Sequence, residues 1–157
     1  IPHLVLGVAF LRLFSLMGMG GSFGWLVATH AIVVTPYTLR LILASLTSMD
    51  RNAENAARTL GAAEWTVFRR ITMPLMLPGI SGGWLLAFIN SFDELTMSIF
   101  VTSPSTVTLP VRMYMYASES IDPMMAAVST LMIALATVTM IVLDRLFGLD
   151  RLLVGKG

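Results

Sequence analysis

The chain reads Asp50-Arg51-Asn52-Ala53-Glu54-Asn55-Ala56-Ala57-Arg58-Thr59-Leu60-Gly61-Ala62-Ala63-Glu64-Trp65, then Phe68-Arg69-Arg70-Ile71 and Met73-Pro74, with long apolar segments on either side. Polar residues at helical spacing, set between segments of bilayer-crossing length, predict a loop that folds outside the membrane and contacts a partner there. Asp50 suits the N-cap of a helix of Ala, Glu, Arg and Leu, and Gly61 suits the left-handed position that ends it. A second short helix is expected from about Glu64 to Thr72, with Trp65, Phe68 and Ile71 on one apolar face. Pro74 and Pro78 then shape the start of the next span. The small Ala56 and Ala57 let a partner approach the first helix closely.

The composition fits this reading. The 157 residues are 56% hydrophobic and 12% charged, against about 45–50% and 25% in ordinary soluble domains. A formal charge of +1 recruits no nucleic acid, and the absence of cysteine excludes disulfides and thiolate chemistry. The chain starts Ile1-Pro2, without an initiator Met and without the basic flank and cleavage site of a signal peptide, so it is read as a fragment lacking upstream sequence.

Spanning a hydrocarbon core of about 30 Å takes about 20 helical residues. Four spans are drawn, at about 2–18, 23–47, 75–101 and 123–147, around an extramembranous loop at 49–74. The first is short and carries Arg12. The second contains His30, Arg40 near one end, and Pro36, expected to kink it. Gly18-Met19-Gly20-Gly21-Ser22 makes the turn between them. The third is interrupted by Asn90, Asp93 and Glu94. The 49–73 loop holds Arg51, Arg58, Arg69 and Arg70, whereas the 102–122 loop holds only Arg112. Basic residues collect on the cytoplasmic side, so the first loop and both fragment ends, with Arg145, Arg151 and Lys156 in the tail, are assigned to the cytoplasm.

The loop resembles the cytoplasmic signature of bacterial ABC-importer permeases: Glu-Ala-Ala, three residues, Gly, nine residues, Ile, one residue, Leu-Pro. Ala56, Ala57, Gly61, Ile71 and Pro74 occupy matching places with the spacing kept. Asn55 stands where the Glu usually is, with Glu54 one residue earlier, and Met73 replaces Leu. The likeness is closest to the spermidine/putrescine-type permeases, through Asn90-Ser91-Phe92-Asp93-Glu94, Phe100-Val101-Thr102-Ser103-Pro104 and Leu109-Pro110-Val111.

The resemblance implies an all-α membrane bundle, the type I ABC-importer transmembrane domain, with about four of six spans present. It implies a bacterial inner-membrane subunit that pairs with a second permease chain as a heterodimer, sits in lipid on a cytoplasmic ATPase dimer, and receives substrate from a periplasmic or extracellular binding protein. The loop would be the coupling helix, with Glu54, Asn55, Ala56, Ala57, Arg58, Gly61, Ile71 and Pro74 as its ATPase-coupling residues. No cofactor is expected on the chain itself; ATP and Mg belong to the partner ATPase, since no Gly-x-x-x-x-Gly-Lys-Ser/Thr run occurs. The simpler alternative for the loop is an amphipathic hairpin resting on headgroups.

Carboxylates at membrane depth are costly and face a cavity or a partner. Asp93 lies about 21 Å along the helix from Gly79, in the outer half of the core. Asn90, Asp93 and Glu94 are candidates for a substrate path, with the carboxylates as counter-ions to a polyamine. The alternative is a structural ion pair or hydrogen-bond site that fixes helix packing, with Arg12 as a candidate partner. Adjacent helical residues point in different directions, so one of the two carboxylates faces the path squarely. His30 and His3 make no metal cluster, and His30 is read as packed. The methionines fill packing or lipid contacts, Gly82 and Gly83 fit close helix approach, and the tyrosines fit interfacial belts. Two other classes compete: an intramembrane hydrolase pairing Ser22 with His30, and a stand-alone channel. The first lacks a nucleophile elbow, and the second has no use for the patterned loop.

Overall fold

The computed structural model describes residues 2–119 and 122–147. Among them the chain is helical, without strands: α1 (His3–Leu16), α2 (Phe23–Ser48), α3 (Asn52–Thr59), α4 (Glu64–Val67), a π-helical turn (Phe68–Thr72), α5 (Met73–Phe92), α6 (Ser98–Val101), α7 (Leu109–Glu119) and α8 (Pro123–Phe147). Arg151 and Lys156, which entered the assignment of the tail, lie outside the described residues.

Three helical stretches among the described residues are long and apolar enough to cross a membrane: Phe23–Ser48, Glu64–Phe92 and Pro123–Arg145. The expected segment 2–18 is shorter than drawn. Its helix α1 has 14 residues, about 21 Å of rise, less than the bilayer core. The expected segment 75–101 is not one helix either. α5 ends at Phe92, and a turn separates it from the four-residue α6. The short helix expected at Glu64 to Thr72 is likewise no separate element, because it runs without a break into α5.

The chain divides into two compact units, Ile1–Thr35 with Phe88–Ala136 and Pro36–Ala87 with Thr137–Gly157. In the first, α1 packs on α6, and Phe14, Leu26 and Val101 make a small core flanked by Phe10 and Trp25. The Phe14 and Trp25 rings lie 4.8 Å apart, a spacing that favours aromatic pairs.

In the second unit α2 and α5 cross closely. A Cβ on Gly79 would lie 2.3 Å from Ser45 Cβ and 3.0 Å from the Leu41 carbonyl oxygen, and one on Gly83 would lie 3.1–3.3 Å from Thr38. Glycine is therefore required by space at this crossing, as small-residue packing in membranes predicts. The helices pass through Pro36 and Pro78 without ending. The π turn sits just ahead of Pro74, where the missing N–H already interrupts the α-helical hydrogen-bond ladder.

Candidate functional site

Two places gather the residues singled out by sequence. The first is the elbow formed by α3, α4 and the π turn. α3 starts one residue later than drawn: Asp50 Oδ1 accepts the Asn52 backbone N–H at 2.9 Å, while Arg51 holds the N-cap position. The helix stops as expected at Gly61, whose φ is +84°. The Gly61 N–H bonds the Arg58 carbonyl at 2.9 Å and the Ala62 N–H bonds the Ala57 carbonyl at 3.1 Å, the paired bonds of a Schellman ending. Nothing lies within 4 Å of a Cβ built at Gly61. Conformation, and not space, makes glycine the fitting residue there.

Glu54 faces inward, with 8% of its surface exposed. Its carboxylate accepts a hydrogen bond from the Thr72 hydroxyl in the π turn, and Oε2 lies 3.9 Å from Arg58 Nη1 one helical turn along. Arg58 also reaches across Gly61 to Glu64, donating from Nε at 2.8 Å and from Nη2 at 3.1 Å. A forked contact of this kind is directional as well as attractive. The hydrogen bond holds the Glu64 carboxyl below its ordinary range and raises the Arg58 guanidinium. The two arms of the elbow are thus tied twice, by Glu54 with Thr72 and by Arg58 with Glu64.

The outer surface is different in character. Asn55, Ala56 and Gly61 are exposed, Ala57 is half-buried, and the apolar Leu60 and Trp65 are 87% and 70% exposed. Trp65 stacks on Phe68 with ring centroids 5.6 Å apart. Ile71 is half-buried and Pro74 exposed, so the apolar face drawn through Trp65, Phe68 and Ile71 turns partly inward at its last member. Leu60, Glu64 and Thr72 were not singled out as contact or bracing residues by sequence. The ties to Glu64 and Thr72 span 6 and 18 residues, and no periodicity signals them.

The second place is the break after α5. Glu94 is 7% exposed and fully engaged: Oε1 accepts the Met97 N–H at 2.7 Å, and Oε2 lies 2.5 Å from His3 Nδ1 on α1. Its partner is His3, not the expected Arg12, which is exposed on the same helix. A buried carboxylate that takes a backbone N–H replaces the continuing helical bond, which accounts for the end of α5 here. His30 lies 2.9 Å from Ser91 Oγ through Nδ1 and 3.0 Å from Ser98 Oγ through Nε2, so it bridges the two sides of the break. With both nitrogens engaged by Ser91 and Ser98, the Ser22 and His30 pairing that a hydrolase would need does not form.

Asn90 is half-buried on α5, and Asp93 is exposed. Asp93 borders a cavity of about 340 Å³ walled by α7 and α8, through residues including Pro110, Met113, Tyr114, Ser129 and Met132. Neighbours in sequence, Asp93 and Glu94 have opposite surroundings.

Over residues 1–148 the sequence matches the family described as binding-protein-dependent transport system inner membrane component. The chain belongs to this family. The family fold is the membrane domain of type I ABC importers, in keeping with the helices found. Among similar members, the spermidine/putrescine transport system permease protein PotC of Escherichia coli strain K12 is 32% identical over 150 residues, 96% of this chain and 56% of its own length. The putrescine transport system permease protein PotI of the same organism is 33% identical over 140 residues, 84% of this chain and 49% of its own. The molybdenum transport system permease protein ModB of Haemophilus influenzae is 39% identical over 109 residues, 66% of this chain and 48% of its own. The chain spans about half the length of these family members.

Proposed function

We propose that this chain is part of a transmembrane permease subunit in an ATP-driven importer, that the elbow from Asn52 to Thr72 takes the push of a cytoplasmic ATPase, and that the cargo is a polyamine. The observation that carries the reading is the construction of the elbow. It is braced inside by Glu54 with Thr72 and across its bend by Arg58 with Glu64. It also presents an outward surface of Asn55, Ala56, Leu60 and Trp65. An amphipathic hairpin resting on lipid needs neither the internal tie nor an exposed small-residue helix.

Motion at the elbow has a direct mechanical route, because α4, the π turn and α5 are one continuous helical run from Glu64 to Phe92. Closure of an ATPase dimer around ATP and Mg would displace α3 and rotate this run, and helix motion of that kind exposes a transport path alternately to either side. The chain acts without catalytic residues of its own, together with a second permease in a heterodimer and a binding protein that delivers cargo. The elbow lies on the cytoplasmic side of the bacterial inner membrane, as the Arg distribution favours; both ends lie there too only if α1 completes a fourth crossing. Polyamine cargo is supported by the similarity to PotC and PotI along most of the chain and by Asn90 and Asp93 at the outer end of α5.

The test is assembly and transport. The full-length subunit should co-isolate with an ATPase, and vesicles holding the assembled complex should take up labelled spermidine only when ATP is present on the ATPase side. Uptake without ATP overturns the importer reading in favour of a channel. ATP-driven uptake of molybdate in place of spermidine overturns the cargo.

A further inference from the structure

We propose that the helical run from Glu64 to Phe92 carries, near its Glu64 end, a binding site for an anionic phospholipid of the surrounding bilayer, with Arg69 and Arg70 holding the headgroup phosphate and a groove between α5 and α8 holding an acyl chain. Such a site depends on neither cargo nor motor and needs only that this run crosses a membrane.

Charge and depth come first. Arg69 and Arg70 in the π turn are exposed, and among the described residues neither forms an ion pair or a side-chain hydrogen bond. Arg58, by contrast, is committed to Glu64 and Glu54. No charged residue occurs from residue 71 to residue 92, a rise of about 33 Å against a hydrocarbon core of about 30 Å. Arg69 and Arg70 therefore stand at headgroup level, where a planar guanidinium takes two phosphate oxygens at once. A cationic or purely donating group would find no acceptor on them.

The groove supplies the second half of the chemistry. Leu77, Ile80 and Trp84 follow Arg69 by 8, 11 and 15 residues, spacings that return to the same side of a helix. With Ser81 and with Leu143 of α8 they line an apolar groove of about 390 Å³. The Ser81 hydroxyl already donates to the Pro78 carbonyl at 2.9 Å, so the groove asks for no polar partner. Leu77 and Ile80 lie about 10–15 Å along the run from Arg70, at the depth of acyl chains in a leaflet whose half of the core is about 15 Å thick. A free phosphate or a nucleotide would use the arginines and leave the groove empty. A lipid with a net negative headgroup uses both, and would hold the run next to the π turn, where the elbow joins it.

A photo-crosslinker on the groove wall tests this locally. In the assembled full-length complex, Leu77→benzoylphenylalanine captures under light whatever covers the groove, and mass identifies the adduct. The vesicles hold phosphatidylglycerol and phosphatidylcholine in equal amounts, with identical oleoyl chains. With both arginines present, phosphatidylglycerol adducts are expected to outnumber phosphatidylcholine adducts by at least roughly tenfold, the scale of two arginines acting on one anionic headgroup. Arg69→Gln with Arg70→Gln should bring the two adducts to near equality, whereas Arg69→Lys with Arg70→Lys should keep most of the preference, since the charge stays. Equal adducts with both arginines present, a preference that survives the Gln pair, or the absence of any lipid adduct overturns the site. A crosslink to a polypeptide in place of lipid overturns it in favour of an interface with another chain. Loss of the preference in millimolar inorganic phosphate, at matched ionic strength, overturns it in favour of a free-phosphate site.

Discussion

Glu54 on α3 and Thr72 in the π turn, 18 residues apart in the chain, are joined by a hydrogen bond inside the elbow. Glu54, two residues ahead of the Ala56-Ala57 pair, is therefore a brace for the surface and not part of the surface itself. Asn55, next along the helix, is exposed, and its side-chain oxygen lies 3.4 Å from Arg58 Nη1.

Glu54→Ala should loosen the elbow by about 1–3 kcal/mol, the cost of leaving a buried polar partner unsatisfied. Hydrogen exchange across residues 52–72 checks this. Thr72→Val, which removes the other partner, should accelerate exchange in the same segment. The double variant should exchange less than the sum of the two singles implies.

Gly61→Val should cost about 1–2 kcal/mol, since a β-branched residue is forced to a left-handed φ. Gly61→Asn should recover most of that loss, because Asn tolerates this conformation and open space surrounds the position. Membrane insertion should be unchanged for both, while ATPase co-isolation and ATP-driven uptake fall with Val and persist with Asn. Equal transport by the Val variant would contradict the placement of the elbow against the motor.

The Arg58 and Glu64 contact should depend on pH in one direction. Its hydrogen bond lowers the Glu64 carboxyl from 4.5, so its contribution is complete above that value and is lost as pH falls through the lower folded value. Both side chains are exposed, so salt should weaken the contact as well. The Glu64 carboxyl signal, followed by NMR from neutral to acid pH, should titrate below that of a free Glu, and Arg58→Gln should move it back up.

Gly79→Ala should push α5 off α2, because its Cβ would meet Ser45 Cβ at 2.3 Å. Overpacking of this kind costs about 1–3 kcal/mol. Thermal unfolding in detergent should show the loss, and adding Ser45→Gly should restore part of it. An unchanged midpoint in the single variant would place the two helices farther apart.

Glu94→Ala should release the turn after α5, freeing the Met97 N–H and His3 together, while Glu94→Gln keeps one acceptor for the backbone. Exchange at residues 95–98 should rise strongly with Ala and modestly with Gln.

Much of this molecule was readable without coordinates because its signals are local. Segment hydropathy marked the second and fourth spans, and Gly61 marked the end of α3 through a backbone preference that needs no neighbour. The spacing from Ala56 to Pro74 was enough to point to the family. Where reading failed, a distant side chain had intervened. Hydropathy carried the third segment through to Val101, but Glu94 takes the Met97 N–H and a histidine from α1, and the helix stops at Phe92.

By itself, then, the chain determined that it is helical, that its long segments are apolar enough for a bilayer, and that a capped helix with a glycine ending lies between two of them, since propensity, capping and hydropathy act over a few residues. Only the tertiary structure decided that Glu54 turns inward to Thr72 while its neighbours stay outside, and that Glu94 is consumed by His3 and Met97 while Asp93 is left facing a cavity. The reason is geometric: two adjacent carboxylates are equivalent in a string of letters, and their surroundings are set by helices brought beside them from up to 91 residues away.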